Sequence, residues 1–281
     1  MTFDRIYDII NESSGTIYVP DYMPACRNGR RGRLKICCGQ PRAGSSPAAG
    51  ISNPVHEGER DLNLLLQKGA SQMKKLKVLF QGDSITDAFR DYSDYHDLGT
   101  GYPKYAAACL KEKYQDIDFE FINLGISGNQ TKDLVERLQK DFIDIQPDIV
   151  SILIGVNDVW HYAENREWLS HDLFEERYRT VLEALKEKTN AKIFMLEPFL
   201  IPVEDKLYFR EDLAVKIEII RKLAREYADL YLPTDGLLQS AFIGDDPLSY
   251  AADGVHPTDK GAEYIGSLYA EWIAKLIEIE E

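Results

Sequence analysis

Two short blocks of this chain combine residue types that can do chemistry with a spacing that would let them. The first, Gly82-Asp83-Ser84-Ile85-Thr86-Asp87, follows a short apolar run. Glycine lets the backbone turn sharply where the run ends, leaving Ser84 at the lip of whatever surface lies beyond. A serine there serves equally well as a helix cap, and taken alone the two roles are even. The second block is Asp253-Gly254-Val255-His256-Pro257. A compact turn lets Asp253 accept a hydrogen bond from one ring nitrogen of His256. The other nitrogen is then left facing outward as an acceptor.

Two further blocks stand between them. Asn123-Leu124-Gly125-Ile126-Ser127-Gly128-Asn129 is glycine-rich, so its backbone N–H groups can approach a substrate closely. Gly155-Val156-Asn157-Asp158 places an amide side chain at the end of another apolar run. Singly, these are an ordinary loop and a turn-bracing asparagine. In combination the four blocks supply what ester hydrolysis needs. Ser84 is the nucleophile, too weak alone because its hydroxyl is protonated at neutral pH. His256 takes that proton and passes it to the leaving alcohol, and Asp253 holds the ring's tautomer. The Ser84 and Gly128 N–H groups and the Asn157 side chain would bind the tetrahedral oxyanion, each such donor being worth ~3 kcal/mol.

These blocks need a scaffold that brings distant segments together. Short apolar runs occur at Leu76–Gln81, Phe119–Leu124, Ile149–Ile154, Ile193–Leu196 and Ala228–Leu232, and their length suits buried strands. Helical patterns lie between and after them, at Tyr102–Tyr114, Thr131–Leu138, Leu173–Lys188, Glu211–Tyr227 and Thr258–Ile279. Pro103 falls in the first turn of the first, where its missing N–H does no harm. Five strands alternating with helices predict an α/β fold with a five-stranded parallel sheet, helices on both faces and right-handed crossovers. Ligands bind beyond the carboxyl ends of such strands, where the loops after Gln81, Leu124, Ile154 and Leu196 would surround one crevice.

The 281 residues carry a net charge of −14, which disfavours nucleic acid or an anionic membrane as partner. No run approaches the ~20 apolar residues of a membrane helix, and the first residues do not read as a signal peptide. Residues 1–72 hold 9 basic and 7 acidic side chains, against 24 and 40 in the remainder. They include Arg27-Asn28-Gly29-Arg30-Arg31-Gly32-Arg33 and a Gly/Pro/Ser/Ala-rich stretch from Gly39 to Asn53. That composition predicts a poorly structured, solvated segment, with nucleic-acid binding by the Arg-Gly tract a lesser reading. Met73-Lys74-Lys75-Leu76 reads as a natural start, which would make residues 1–72 an over-extended reading frame. Cys26, Cys37 and Cys38 match no defensible zinc spacing, and Cys109 stands apart, so neither a metal site nor a disulfide framework is expected.

The four blocks, in this order, resemble the SGNH, or GDSL-type, hydrolase superfamily over residues 73–281, and no Gly-x-Ser-x-Gly elbow competes for the nucleophile. The resemblance implies a flavodoxin-like three-layer α/β/α sandwich, with Ser84, Gly128, Asn157 and His256 as the name-giving residues. The Gly82–Asp87 block, Leu98-Gly99-Thr100-Gly101-Tyr102, Gly125-Ile126-Ser127-Gly128-Asn129, Gly155-Val156-Asn157-Asp158-Val159-Trp160 and Val255-His256-Pro257 look more narrowly like the intracellular bacterial acetylxylan esterases. That likeness implies a cytoplasmic, cofactor-free enzyme that deacetylates xylo-oligosaccharides, of a group that tends to form homo-oligomers. One departure is Ala262 after Gly261, where many relatives carry histidine.

For substrate contacts, Trp160 could stack on a sugar or wall off an acyl pocket, or simply support the crevice from beneath. Asp83 is a further candidate, with Tyr102, Tyr250 and His96 weaker ones. The polar, aromatic segment Arg90–Gly99 reads as a loop over the site, an exposed loop or a subunit contact. Two other functions compete: hydrolysis of a lysophospholipid, thioester or other small acyl ester, and non-catalytic glycan binding on the same fold. An exposed apolar rim would favour the first, while an intact Ser84, Asp253 and His256 speaks against the second.

Overall fold

The computed structural model describes residues 73–278. The expectations for residues 1–72, including the Arg-Gly tract, the three cysteines and the reading-frame question, lie outside them. In chain order the described elements are β1 (Lys74–Gly82), α1 (Ser84–Asp87), α2 (Tyr102–Lys113), β2 (Ile117–Asn123) and α3 (Thr131–Glu136). There follow β3 (Ile149–Leu153), α4 (Asn157–Trp160), α5 (His171–Lys188), β4 (Lys192–Leu196), α6 (Arg210–Tyr227), β5 (Leu230–Leu232), α7 (Thr234–Ala241) and α8 (Asp259–Glu278).

The five strands form one parallel sheet in the order β2-β1-β3-β4-β5, the flavodoxin-like order with its reversal between β1 and β3. The period-2 alternation of the strands sends side chains to two faces. On one face Val78, Phe80, Leu153 and Phe194 meet Tyr102 and Leu110 of α2 and Ile265, Tyr269 and Ile273 of α8. On the other, Leu79, Val150, Ile152 and Met195 meet Phe174, Tyr178, Val181, Leu182 and Leu185 of α5 and Ile220 and Leu223 of α6. Both faces are covered by helices, and that is why the central strands read as continuous apolar runs.

Each sequence-predicted strand is present, within two residues at either end. Three helical features escape the apolar pattern. α1 and α4 are single turns, and α7 is a separate helix after β5. The predicted helix Thr131–Leu138 stops at Glu136, and a π-helical turn, Gln139–Ile143, continues it. That wider turn buries Phe142 and Ile143. No helix among the described residues is long and apolar enough to cross a membrane.

Candidate active site

The reversal in strand order brings the ends of β2, β1 and β3 side by side, and these three strands deliver Gly128, Ser84 and Asn157. Ser84 opens α1, and Asp83 caps that turn by accepting the Ile85 N–H at 3.0 Å. Gly82 must be glycine, because a Cβ there would lie 2.3 Å from Thr86 Oγ1 and 2.4 Å from the Leu153 carbonyl. The tight approach of β1 to β3 thus sets where the serine emerges.

His256 and Asp253 come from the turn before α8. One carboxylate oxygen of Asp253 accepts the backbone N–H groups of Val255 at 2.9 Å and His256 at 2.7 Å. The other oxygen accepts the ring at Nδ1, 2.6 Å away. The turn is seated by Gly254, whose carbonyl accepts the Ile201 N–H at 2.8 Å and whose φ is +86°. His256 Nε2 then stands 2.8 Å from Ser84 Oγ. Burial alone would raise the Asp253 carboxyl, but its hydrogen bonds from the ring and the two amides outweigh it and hold the group below the ordinary range. The pair is therefore a carboxylate and a ring with a fixed tautomer, aimed at a hydroxyl.

Three donors face the same space. Among the described residues the Ser84 and Gly128 N–H groups have no acceptor. Gly128 has φ +82° and open space where a Cβ would lie. Asn157 Nδ2 donates one hydrogen to the Asn129 carbonyl at 3.1 Å, which leaves its second for a ligand. Ser84, Gly128, Asn157, Trp160 and His256 all line one cleft of about 940 Å³. Such an array can polarise a carbonyl and stabilise the charge that develops on it.

The remaining sequence-predicted contacts fall differently. Trp160 lines the cleft, half-buried. Tyr102 does not reach it: the ring is fully buried against Phe80 and Tyr269 because α2 begins at that residue and turns it inward. Tyr250 is likewise buried against Phe242 and Tyr264, and its carbonyl receives the Thr258 N–H that starts α8. Asp83 is 1% exposed and spent on the α1 cap, and burial pushes its carboxyl up to about 7. These three are structural supports of the site. His96 Nδ1 donates to the Phe121 carbonyl at 3.1 Å, and the residue lines no part of the cleft.

Asp87, Arg90 and Tyr92 line the cleft; sequence reasoning singled out none of them, although a loop over the site was one of its readings of Arg90–Gly99. Asp87 accepts hydrogen bonds from the Tyr92 hydroxyl at 2.6 Å and the Ser127 N–H at 3.1 Å, as well as from the Ser127 hydroxyl. Arg90 holds the Gly125 carbonyl at 2.9 Å. Between them Ala88 and Phe89 adopt φ of 42° and 64°, left-handed conformations that side chains with a Cβ seldom accept. The Leu98–Tyr102 block explains how they persist. Gly99, with φ +64°, comes so near that a Cβ would lie 2.4 Å from the Ala88 carbonyl. Thr100 donates to that carbonyl at 2.8 Å.

Fold and site together define a hydrolase-type cleft at the carboxyl end of a flavodoxin-like parallel sheet, with Ser84, His256 and Asp253 hydrogen-bonded in line. The chain belongs to the GDSL-like lipase/acylhydrolase family, whose profile matches residues 80–264, and it is an esterase. It is 30% identical to an acetylxylan esterase of Geobacillus stearothermophilus over 209 residues, covering 70% of this chain and 95% of that one. The crystal structure of Axe2, an acetylxylan esterase from the same organism, superimposes with a TM-score of 0.65 at 29% identity, over 71% of this chain and 95% of the other. A GDSL-like lipase of Parabacteroides merdae superimposes equally well, with TM-score 0.65 and 32% identity over 71% and 96%.

Proposed function

We propose that the chain is a carbohydrate O-acetyl esterase acting on acetylated xylo-oligosaccharides through a Ser84–His256–Asp253 triad. The observation that carries the chemistry is the hydrogen-bonded line from Asp253 Oδ2 through both ring nitrogens of His256 to Ser84 Oγ. Ser84 Oγ attacks the ester carbonyl carbon as its proton passes to His256 Nε2. The oxyanion is held by the Ser84 and Gly128 N–H groups and Asn157 Nδ2. Collapse breaks the C–O bond, and His256 protonates the departing alcohol. Water then attacks the acetyl-enzyme by the same route, releasing acetate and restoring Ser84. No step requires a metal or cofactor.

The substrate reading draws on the relatives. Catalytic mutants of the Geobacillus enzyme alter a serine, an aspartate and a histidine, the residue types of this triad. We place the whole activity in residues 73–281. The test is release of acetate from acetylated xylo-oligosaccharides by the full chain and by a chain beginning at Met73. Equal turnover by both is expected; release of acetate by Ser84→Ala would overturn the triad.

A second substrate reading has one observation in its favour. Phe89, on the rim of the cleft, is 93% exposed, and an apolar rim suits a longer acyl chain. A series of esters from acetyl to decanoyl on one alcohol separates the two, since faster cleavage of the long chains would select the lipid-like ester.

A further inference from the structure

An ester has two arms, and a triad of fixed geometry decides which wall of the cleft each arm meets. The proton that His256 Nε2 takes from Ser84 must be delivered to the leaving oxygen, so that oxygen comes within about 3 Å of Nε2 during the reaction. The alcohol bonded to it is therefore held beside the imidazole, and the acyl arm points away from it. Trp160 is the aromatic neighbour of the imidazole: the two ring centroids are 6.0 Å apart at an interplanar angle of 47°. Its indole lines the cleft and packs on two residues that do not. Phe209 meets it edge-on at 5.8 Å, and the Lys206 ammonium stands 5.2 Å from the ring centre. Lys206 is itself tied to Asp205 at 2.9 Å. The indole also rides on α4, the same single turn that carries Asn157.

We propose that Trp160 is the specificity residue for the alcohol, a pre-set platform on which the ring of a cyclic leaving group lies, and has no part in sizing the acyl group. This rests on the triad assignment made above and sharpens the site's choice of substrate. The C–H face of a saturated sugar ring is apolar and fits an indole, while its hydroxyls keep to the polar side of the cleft. A cleft of about 940 Å³ is far larger than an acetyl group needs, and the excess is space for such an alcohol. Any cyclic alcohol that offers an apolar C–H face fits this platform, with a pyranose as the member the relatives suggest.

The test compares the full-length protein with Trp160→Ala and Trp160→Phe on three acetyl esters: acetylated xylo-oligosaccharide, cyclohexyl acetate and ethyl acetate. Trp160→Ala is expected to lower kcat/KM about tenfold or more on the two cyclic esters, mainly through KM, and to leave ethyl acetate within about twofold. Trp160→Phe should restore most of the loss. Equal losses on all three esters would make Trp160 a support for Asn157 and overturn the proposal. So would a gain of activity on butyryl and hexanoyl esters, because that is the signature of an acyl wall. If the native protein cleaves cyclohexyl acetate but not the xylo-oligosaccharide, the sugar reading fails, while the ratio of cyclic to ethyl ester still judges Trp160.

Discussion

Asp158 accepts both the backbone N–H and the hydroxyl of Thr131, at 3.0 and 2.6 Å, and so ties the turn that carries Asn157 to the start of α3. Gln130, the preceding residue, closes the clasp by donating to the Asn157 carbonyl at 3.0 Å. The carboxylate is fully buried, and burial pushes it up to about 6. Asp158→Ala removes the acceptor from two buried donors, which should cost roughly 2–4 kcal/mol of stability. Below the melting transition kcat should fall more than KM rises, since a loosened Asn157 is felt in the transition state. Denaturation together with steady-state kinetics measures both.

Ser84 Oγ makes one hydrogen bond, to His256, so Ser84→Ala should leave the melting temperature nearly unchanged and reduce kcat by about 10⁴-fold or more. A fluorophosphonate should label the native protein and fail to label the variant; labelling that persists would assign the nucleophile elsewhere. Asp253→Asn keeps an oxygen for the Val255 and His256 amides but reverses the ring's partner. Its expected loss in kcat is about 10³–10⁴-fold.

Asp83 gives stability its own pH dependence. Its folded value of about 7 stands above the unfolded 3.8 because burial disfavours the charge. The folded chain therefore holds this proton more tightly, and the contribution is fully present below about pH 4. It is lost as pH rises to about 7 and stays lost above. Asp83→Asn keeps the cap on Ile85 and removes the titration. Its stability relative to the native protein should increase from pH 4 to pH 8 by roughly 2–4 kcal/mol, read from urea unfolding at several pH values.

Gly128 and Gly125 separate conformation from space. Gly128→Ala meets nothing within 4 Å, so its cost is the positive φ alone, about 1 kcal/mol, with a fall in kcat as the N–H shifts. At Gly125 a Cβ would lie 2.5 Å from the Asp87 amide, and Gly125→Ala should be poorly folded. Thermal melts of the two variants, side by side, test the distinction.

The sheet was legible because buried parallel strands are apolar throughout and the helices between them are long enough to show a period. The site was legible where function needs unusual neighbours, as in Asp253-x-x-His256. Tyr102 and Tyr250 misled because adjacency to a loop block says nothing about which way a ring turns. A helix beginning at Tyr102 sent it into the core beside Phe80. Asp87 was in view inside the Ser84 block, yet its partners Tyr92 and Ser127 lie in separate loops that only the fold joins. The left-handed Ala88 and Phe89 left no local signal, since neither residue type favours that conformation.

The turn from Asp253 to His256 divides its labour between two scales. One oxygen of Asp253 fixes the backbone and the other fixes the imidazole, so the ring's direction is set within four consecutive residues. Where that ring stands is set from outside, by the Ile201 N–H that the Gly254 carbonyl accepts. Orientation is thus a local property of the chain and position a property of the sheet, and a substitution can disturb either without the other.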